Sequence, residues 1–259
     1  LYDALYQGLA DAQGLAKDAA PAVIQAPHDP LEDAQIGHGA DESALYFMCG
    51  LPLTRLEHAA PGHLVPIAAP VMRAPRYAGK PIYFADVIVR ADSLYQTFAD
   101  LRGSAFSYND SGSQSGYHAV RSYMVQTGRI KGYFSRVIRS GSHLNSIQCV
   151  LQGEADCAAI DSLVLEQALA ANPALASKLR IVESIGPFPN PPIVASRQLF
   201  ESVMAPALML HTPDVVFGVS DALRTRAGVA RFARVTLEDY VPLWDLYAAA
   251  DAAGYRTIY

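Results

Sequence analysis

Ser104-Ala-Phe-Ser-Tyr-Asn-Asp-Ser-Gly-Ser-Gln-Ser-Gly-Tyr-His-Ala-Val-Arg-Ser-Tyr-Met-Val-Gln-Thr-Gly128 reads as a short strand, a loop crowded with glycine and serine, and a helix. Tyr117, Val120 and Met124 recur at i, i+3 and i+7, which gives the helix one apolar face. Thr127-Gly128 is its stop, with glycine able to take the left-handed conformation that helix ends use. Between strand and helix, Ser111, Ser113 and Ser115 offer hydroxyls, while Gly112 and Gly116 let backbone approach a ligand closely. The first N–H groups of a helix lack partners and lie at the positive end of its dipole, so such a loop can hold an anion. One serine is also enough to cap a helix, and locally the cap is the simpler reading.

Outward from this stretch, strands alternate with helices. Residues 1–20 carry a helical pattern (Leu1, Leu5, Leu9 with Tyr2 and Tyr6), and Val23-Ile24-Gln25 reads as a short strand. Asp41 to Met48 is a buried strand ending in Cys49-Gly-Leu-Pro52, and the carboxyl edge of such strands is where α/β sheets place ligands. Leu64 to Val71 and Ile82 to Arg90 are further strands, and Asp92 to Leu101 is expected to be helical. Beyond the opening stretch come a strand at Tyr133 to Ile138 and a helix after Ser140-Gly-Ser-His143 that stops at Gly153. A compact strand, Ala155 to Ile160, follows with Asp161 at its carboxyl end, and then a helical region over 162–179. Ile181-Val182 precedes a proline-rich crossing, Gly186-Pro-Phe-Pro-Asn-Pro-Pro192, which is stiff and poor in donors. Helices are expected over 197–210 and 213–224, the second with Thr212 as cap and Pro213 first, and a last one carries Tyr240, Leu243, Trp244 and Tyr247. Its aromatic stripe reads as core.

This alternation predicts an α/β protein. Crossings near residues 90 and 185 divide it into a discontinuous first lobe, 1–90 with 190–259, and a second lobe, 91–189, that carries the serine loop.

At 259 residues, with 51% hydrophobic and 17% charged side chains, the chain can bury a sizeable core. A net charge of −5 gives no support for nucleic-acid binding, yet local backbone donors can outweigh so mild a charge at an anion site. Cys49, Cys149 and Cys157 are odd in number and show no CxxC spacing; free thiols are expected, with Cys149–Cys157 pairing left open. No apolar run approaches the roughly 20 residues of a membrane span. The chain begins at Leu1 within a helical pattern, so a truncated or processed product is expected, its export signal outside the numbered chain.

Gly112-Ser-Gln-Ser-Gly116 resembles a nucleophile elbow, but the central position of Gly-x-Ser-x-Gly is held by Gln114. Ser113 or Ser115 with His143 and Asp161 could still assemble a hydrolytic set, as residues of these types could in any chain of this size. The phosphate-loop and dinucleotide glycine patterns are both missing, and the seven histidines are scattered, so no cofactor or metal is expected. His143, after Gly141-Ser142 at a helix start, reads equally well as a donor to a bound oxyanion or as a partly exposed helix residue. Asp161 could accept a hydrogen bond from a ligand hydroxyl or cap the next helix.

Several segments taken together resemble one family. Leu101-Arg-Gly followed by Asn109-Asp-Ser-Gly-Ser-Gln-Ser-Gly-Tyr117 is similar to the signature of phosphate/phosphite/phosphonate-binding proteins of ABC transporters, the PhnD-like family. Gly141-Ser-His143 with Val150-Leu-Gln-Gly-Glu-Ala-Asp-Cys-Ala-Ala-Ile-Asp161 resembles its second signature. Cys49-Gly-Leu-Pro-Leu53 and Tyr83-Phe-Ala-Asp-Val-Ile-Val-Arg-Ala-Asp-Ser93 resemble first-lobe segments, and Pro187-Phe-Pro-Asn-Pro-Pro192 the return crossing. The matches keep the family's order from about residue 41 to 195.

The resemblance implies a type II periplasmic-binding-protein fold, two lobes each with a mixed sheet flanked by helices and a ligand cleft between them. It implies a solute receptor, not an enzyme, that delivers a phosphorus oxyanion to a membrane permease, periplasmic or lipid-anchored outside the cytoplasm, and monomeric. A ligand-sensing domain of the same fold is the nearest alternative; a hydrolase using Ser115, His143 and Asp161 is a more distant one. Carried over residue by residue, Ser113, Gln114 and Ser115, with Gly116 and Asn109 beside them, match the oxyanion cradle. His143 matches a ligand contact from the same lobe, and Tyr83, Tyr46, Cys49 and Gly50 match the other side. Aminophosphonate-binding members hold the ligand's amino group with carboxylates. Here the corresponding stretches read Ile160-Asp-Ser-Leu163 and Asn190-Pro-Pro192, where only Asp161 is acidic. The resemblance therefore points to a small oxyanion or an apolar-tailed phosphonate.

Overall fold

A computed structural model describes residues 44–130 and 132–259. The helical pattern of 1–20 and the strand at 23–25 lie outside the described residues. In chain order the elements are β1 (Leu45–Phe47), α1 (Gly50–Ala59), β2 (Leu64–Met72), β3 (Ile82–Arg90), β4 (Ala105–Tyr108), α2 (Ala119–Gln126), β5 (Arg136–Arg139), α3 (His143–Gln152), β6 (Cys157–Asp161), α4 (Ser162–Ala171) and β7 (Leu179–Pro189). They continue through β8 (Ile193–Ser196), α5 (Arg197–Leu199), α6 (Ala205–Leu210), α7 (Pro213–Phe217), α8 (Asp221–Arg226), β9 (Val229–Arg234) and α9 (Val241–Ala252). A π-helical turn, Gln114–His118, leads into α2, and another, Phe200–Met204, joins α5 to α6. No helix among the described residues is long and apolar enough to cross a membrane.

The chain forms two compact units. The first ends at Ile82 and resumes over Pro189–Val241; the second comprises Tyr83–Phe188 and Pro242–Tyr259. Against the division expected from the crossings, residues 83–90 and 242–259 belong with the second unit.

The first unit holds a sheet of order β1-β8-β2-β9. Each of its described pairs is antiparallel. Pro66 and Pro70 sit inside β2, where a residue without an N–H is disfavoured; the register shift between Pro66 and Ala68 is how the β8 ladder accommodates the first of them. Cys49-Gly-Leu-Pro52 does not turn away from the sheet but starts α1, with Cys49 as N-cap and Leu51, Leu53 and Leu56 buried. Glu57, also buried, accepts the N–H groups of Gly62 (2.8 Å) and Leu64 (2.7 Å) and so fixes the turn from α1 into β2. The helix expected over 213–224 breaks at Gly218 (φ 57°) into α7 and α8, and Thr212, though at the cap position, makes no side-chain cap. The sequence reading missed β9. Its buried Val229 and Phe232 recur at three, since the register shifts between Val71 and Met72.

The second unit has the sheet order β5-β4-β6-β3-β7. Strand β4 is parallel to β5 and β6, and β3 is antiparallel to β6. Every residue of β6 is buried, as a central strand covered on both faces requires. Ile88, Ile147, Val150, Ala158, Ile160 and Leu165 form its core on one face, with α3 and α4 packed there. Residues 92–101 are not the expected helix; they form turns and a 3₁₀ segment, Phe98–Leu101, closed by a capping box between Thr97 and Asp100.

Arg121 explains why 242–259 joins this unit. It lies on the α2 face read as apolar, is 2% exposed, and reaches Asp251 at 2.6 Å and the carbonyls of Tyr247 (3.0 Å) and Arg256 (3.2 Å). Its guanidinium also stacks 4.7 Å from the centre of the Tyr247 ring. Ser122 donates to the Leu246 carbonyl, and the Tyr117 hydroxyl accepts the Ile258 N–H. Burying a guanidinium is costly unless most of its donors are engaged; here both Nη groups are, while Nε is not, and the partners that engage them lie in the C-terminal segment closed over α2. Arg121→Ala should cost about 2 kcal/mol in chemical denaturation, from the lost packing and hydrogen bonds of a buried side chain, since Asp251 is about one-third exposed and is not stranded. A loss within about 0.5 kcal/mol would show that the pair is energetically idle.

Candidate anion-binding site

The serine loop is shaped by a carboxylate. At the end of β4, Asp110 accepts the Gly112 N–H (2.9 Å) through one oxygen and the Asn109 side-chain amide (2.9 Å) through the other. Such a turn is the ordinary use of Asp before glycine. Ser113 is the N-cap: its Oγ accepts the Gly116 N–H at 3.1 Å, which leaves its own hydroxyl proton to donate elsewhere. Ser113, Gln114 and Ser115 are buried, at 5%, 2% and 1% exposure.

Gly116 is where the sequence has no freedom. A Cβ there would stand 1.8 Å from Asn109 Oδ1 and 3.2 Å from His143 Cε1. This close approach brings the starts of two helices together. One is the π turn into α2; the other is α3, whose first residue is His143 and whose N-cap, Ser142, accepts the Asn145 N–H at 3.1 Å. Ser115 Oγ and His143 Nε2 are 3.1 Å apart. Burial pushes the His143 imidazole down to about 4, with the Ala159 carbonyl opposing, so the ring is neutral at physiological pH. The cluster thus offers hydroxyls, an imidazole and helix-start N–H groups near one another, as an anion site built from neutral donors needs.

The other expected residues have settings of their own. Asp161 is the N-cap of α4, and its Oδ1 accepts the Leu163 N–H at 2.8 Å. His143 Nδ1 is buried and makes no hydrogen bond of normal geometry. A Ser–His–Asp triad requires the acid to hold that nitrogen, so the triad is not assembled. Tyr83 is 1% exposed, packs against Phe188 at 6.0 Å between ring centres, and lies in the second unit, not the first lobe where it was expected. Tyr46 on β1, Cys49 and Gly50 lie in the first unit; Cys49 is half-buried and in no disulfide. The sequence reading overlooked Asp110 and Arg121. Asn-Asp-Ser-Gly was a legible turn signal for the first, whereas nothing local marks the second as buried.

Burial lifts the Asp161 carboxyl to about 7, helped by the negative charge of Asp86 and opposed by the N–H groups it caps. His143 and Asp161 therefore act on stability with opposite signs. Between about 6.5 and 4 the unfolded chain takes up a proton on this histidine that the folded chain refuses, so the imidazole costs stability as pH falls through that window. Between about 4 and 7 the folded chain holds a proton on Asp161 that the unfolded chain releases, so this contribution is full below that window and lost as pH rises through it. Asp161→Asn keeps a capping oxygen and should be more stable than the parent at pH 8, on the order of 3 kcal/mol, and equal to it near pH 4. His143→Gln should remove the loss on acidification from 6.5 to 4. Urea denaturation at the two ends reads both, and parallel curves for parent and variants would mean that neither group is perturbed.

Comparisons with known proteins identify the family and the fold. A family profile for ABC transporter, phosphonate, periplasmic substrate-binding protein matches residues 35–240. A binding-protein component of an ABC phosphonate transporter from Pseudomonas aeruginosa superposes with a TM-score of 0.73 at 16% identity, over 98% of this chain and 82% of that one. PhnD1 from Prochlorococcus marinus, in complex with methylphosphonate, gives 0.73 at 16% identity over 96% and 92%. The Escherichia coli aliphatic sulphonate binding protein SsuA gives 0.55 at 17% identity over 96% and 78%. At such identities the structures establish the two-lobed fold of type II periplasmic binding proteins, while the profile, which spans most of the chain, establishes the family. This chain belongs to the phosphonate-type periplasmic substrate-binding proteins of ABC transporters, a family of solute receptors and not of enzymes.

Proposed function

We propose that this receptor binds a phosphorus oxyanion (phosphate, phosphite or a phosphonate) through Ser113, Gln114, Ser115, Gly116, Asn109 and His143. Bound ligand would then be handed to the membrane permease of its transporter. The observation that carries this reading is the meeting of Ser115 and His143 at 3.1 Å where two helices begin. Hydroxyls and helix-start N–H groups satisfy several oxygens of a tetrahedral anion at once, and none of the six proposed ligand residues brings a full charge of its own. Tyr46, Cys49 and Gly50 of the first unit, and Tyr83, complete the proposed set on the strength of the family resemblance. The receptor acts as a monomer outside the cytoplasm.

The alkyl side of the ligand is proposed to be small or apolar. Asp161 is the one acidic residue in the stretches where aminophosphonate receptors hold an ammonium group, and here it caps α4 and holds its proton up to about 7. A carboxyl so engaged is a poor partner for an ammonium group.

Ser115→Ala removes one hydrogen bond to a charged ligand and should weaken binding about 10- to 100-fold in calorimetry, with the melting temperature of the free protein little changed. Gly116→Ala should weaken it at least as much, because Asn109 or His143 must move away from the cradle. In a thermal-shift panel, phosphate, phosphite or methylphosphonate should raise the melting temperature and aminoethylphosphonate should do so less. A panel in which only sulfate or carboxylates act would overturn the ligand class, and an unchanged affinity in Ser115→Ala would overturn the site.

A further inference from the structure

Charge is unevenly spread over this acidic protein. Residues 73–80 and 221–231 together carry six cationic side chains against one carboxylate, Asp221, in a chain whose net charge is −5. The two segments form one corner of the first unit. The Arg73 N–H donates to the Gly228 carbonyl, its Nε donates to the Val229 carbonyl (3.0 Å), and its Nη2 donates to Thr225 Oγ1 (3.3 Å). Arg231 Nη2 donates to the Gly79 carbonyl at 3.3 Å. Arg73, Lys80, Arg226 and Arg231 are exposed, and among the described residues none of the four has a carboxylate within ion-pair distance. Arg224 differs, being neutralised by Asp214 and Asp221.

An ordinary explanation exists for part of this. Strand β9 is an edge of the described sheet, and cations on an edge strand discourage pairing with other chains. That accounts for Arg231. It does not account for Arg73 and Lys80, which flank a 3₁₀ turn (Pro75–Tyr77), or for Arg226 on α8. The carbonyl and hydroxyl partners of Arg73, and the carbonyl reached by Arg231, fix the geometry of the corner without cancelling its charge.

We propose that this corner is a docking surface for an acidic face of the transporter's permease. The proposal rests on the family membership, which supplies a membrane partner, and is independent of which ligand is bound. Two features favour a protein carboxylate surface over anionic lipid. Of the four exposed cations without a carboxylate, Arg73, Arg226 and Arg231 are arginines, whose planar fork suits bidentate pairing. Neither segment exposes a large apolar side chain that could insert into a bilayer, whereas peripheral membrane binding combines charge with apolar insertion.

The test uses the full chain with Lys80→Glu and Arg226→Glu together, beside a charge-preserving pair, Lys80→Arg with Arg226→Lys. Binding to the permease–ATPase complex of its own transporter, held in nanodiscs, is measured at low and high salt, with ligand affinity and melting temperature measured in parallel. The charge-reversed protein should bind the complex about tenfold more weakly at low salt, with a shallower salt dependence, while the charge-preserving pair behaves as the parent. Ligand affinity and melting temperature should be unchanged in both. Unchanged docking overturns the proposal. A lowered melting temperature in the reversed protein also overturns it, because the charges then serve contacts within the chain. Retention of the parent on phosphatidylglycerol vesicles, lost on reversal while docking persists, assigns the corner to lipid instead. A parent that fails to bind the complex at all, with ligand affinity intact, overturns docking and leaves the ligand reading standing.

Discussion

The second unit depends on one close approach, that of the Gly116 backbone to Asn109 and His143. Only a residue without a Cβ permits it, and what it permits is the convergence of two helix starts that lie 28 residues apart in sequence, as Ser115 and His143 do. Each start presents N–H groups that its own helix cannot satisfy; Ser113 and Ser142 accept one apiece, and the others are available to an anion. Asn109 Oδ1 is buried beside Gly116 with no hydrogen-bond partner among the described residues.

Stiff surroundings hold that arrangement in place. Asp110 uses both carboxylate oxygens to set the loop before it, and Ser113 spends its acceptor on the Gly116 N–H while keeping its proton. Behind the π turn, Arg121 fastens the C-terminal segment over α2, so the helix that presents the serines is covered on the side away from its start. Three different devices, an Asx turn, an N-cap and a buried ion pair, fix a short stretch whose own propensity would leave it mobile. Preorganised donors lose little entropy when an anion arrives, which is where affinity for a small ligand comes from.

Much of this was legible in the sequence. The strand, loop and helix of 104–128, the strand end at Asp161 and the helix start at His143 all follow from local patterns, because glycine, serine and apolar spacing act over a few residues. What failed was long-range. Val229–Arg234 escaped because a register shift broke its alternation, and Asp92–Leu101 because Thr97 and Asp100 close a single turn without continuing it. The division of the chain was read from proline-rich crossings, yet a buried arginine on α2 decides where 242–259 packs, and no local feature distinguishes Arg121 from an exposed one. The approach at Gly116 was likewise open to inference only as freedom of glycine; that Asn109 and His143 occupy the space is a tertiary fact.

The neutrality of the cluster has a consequence for how the protein can work. A buried cation would attract any anion and hold it strongly, whereas neutral donors give an energy that depends on how many oxygens are correctly placed. The His143 ring, kept neutral by its own burial, supplies one N–H and one lone pair, and in the proposed site its contact with Ser115 would follow from which nitrogen holds the proton. Phosphorus oxyanions differ from sulfonates in carrying a proton near neutral pH. A site of neutral donors, if the proposed one binds as argued, would select by geometry and protonation, not by charge alone, and could give the ligand up again.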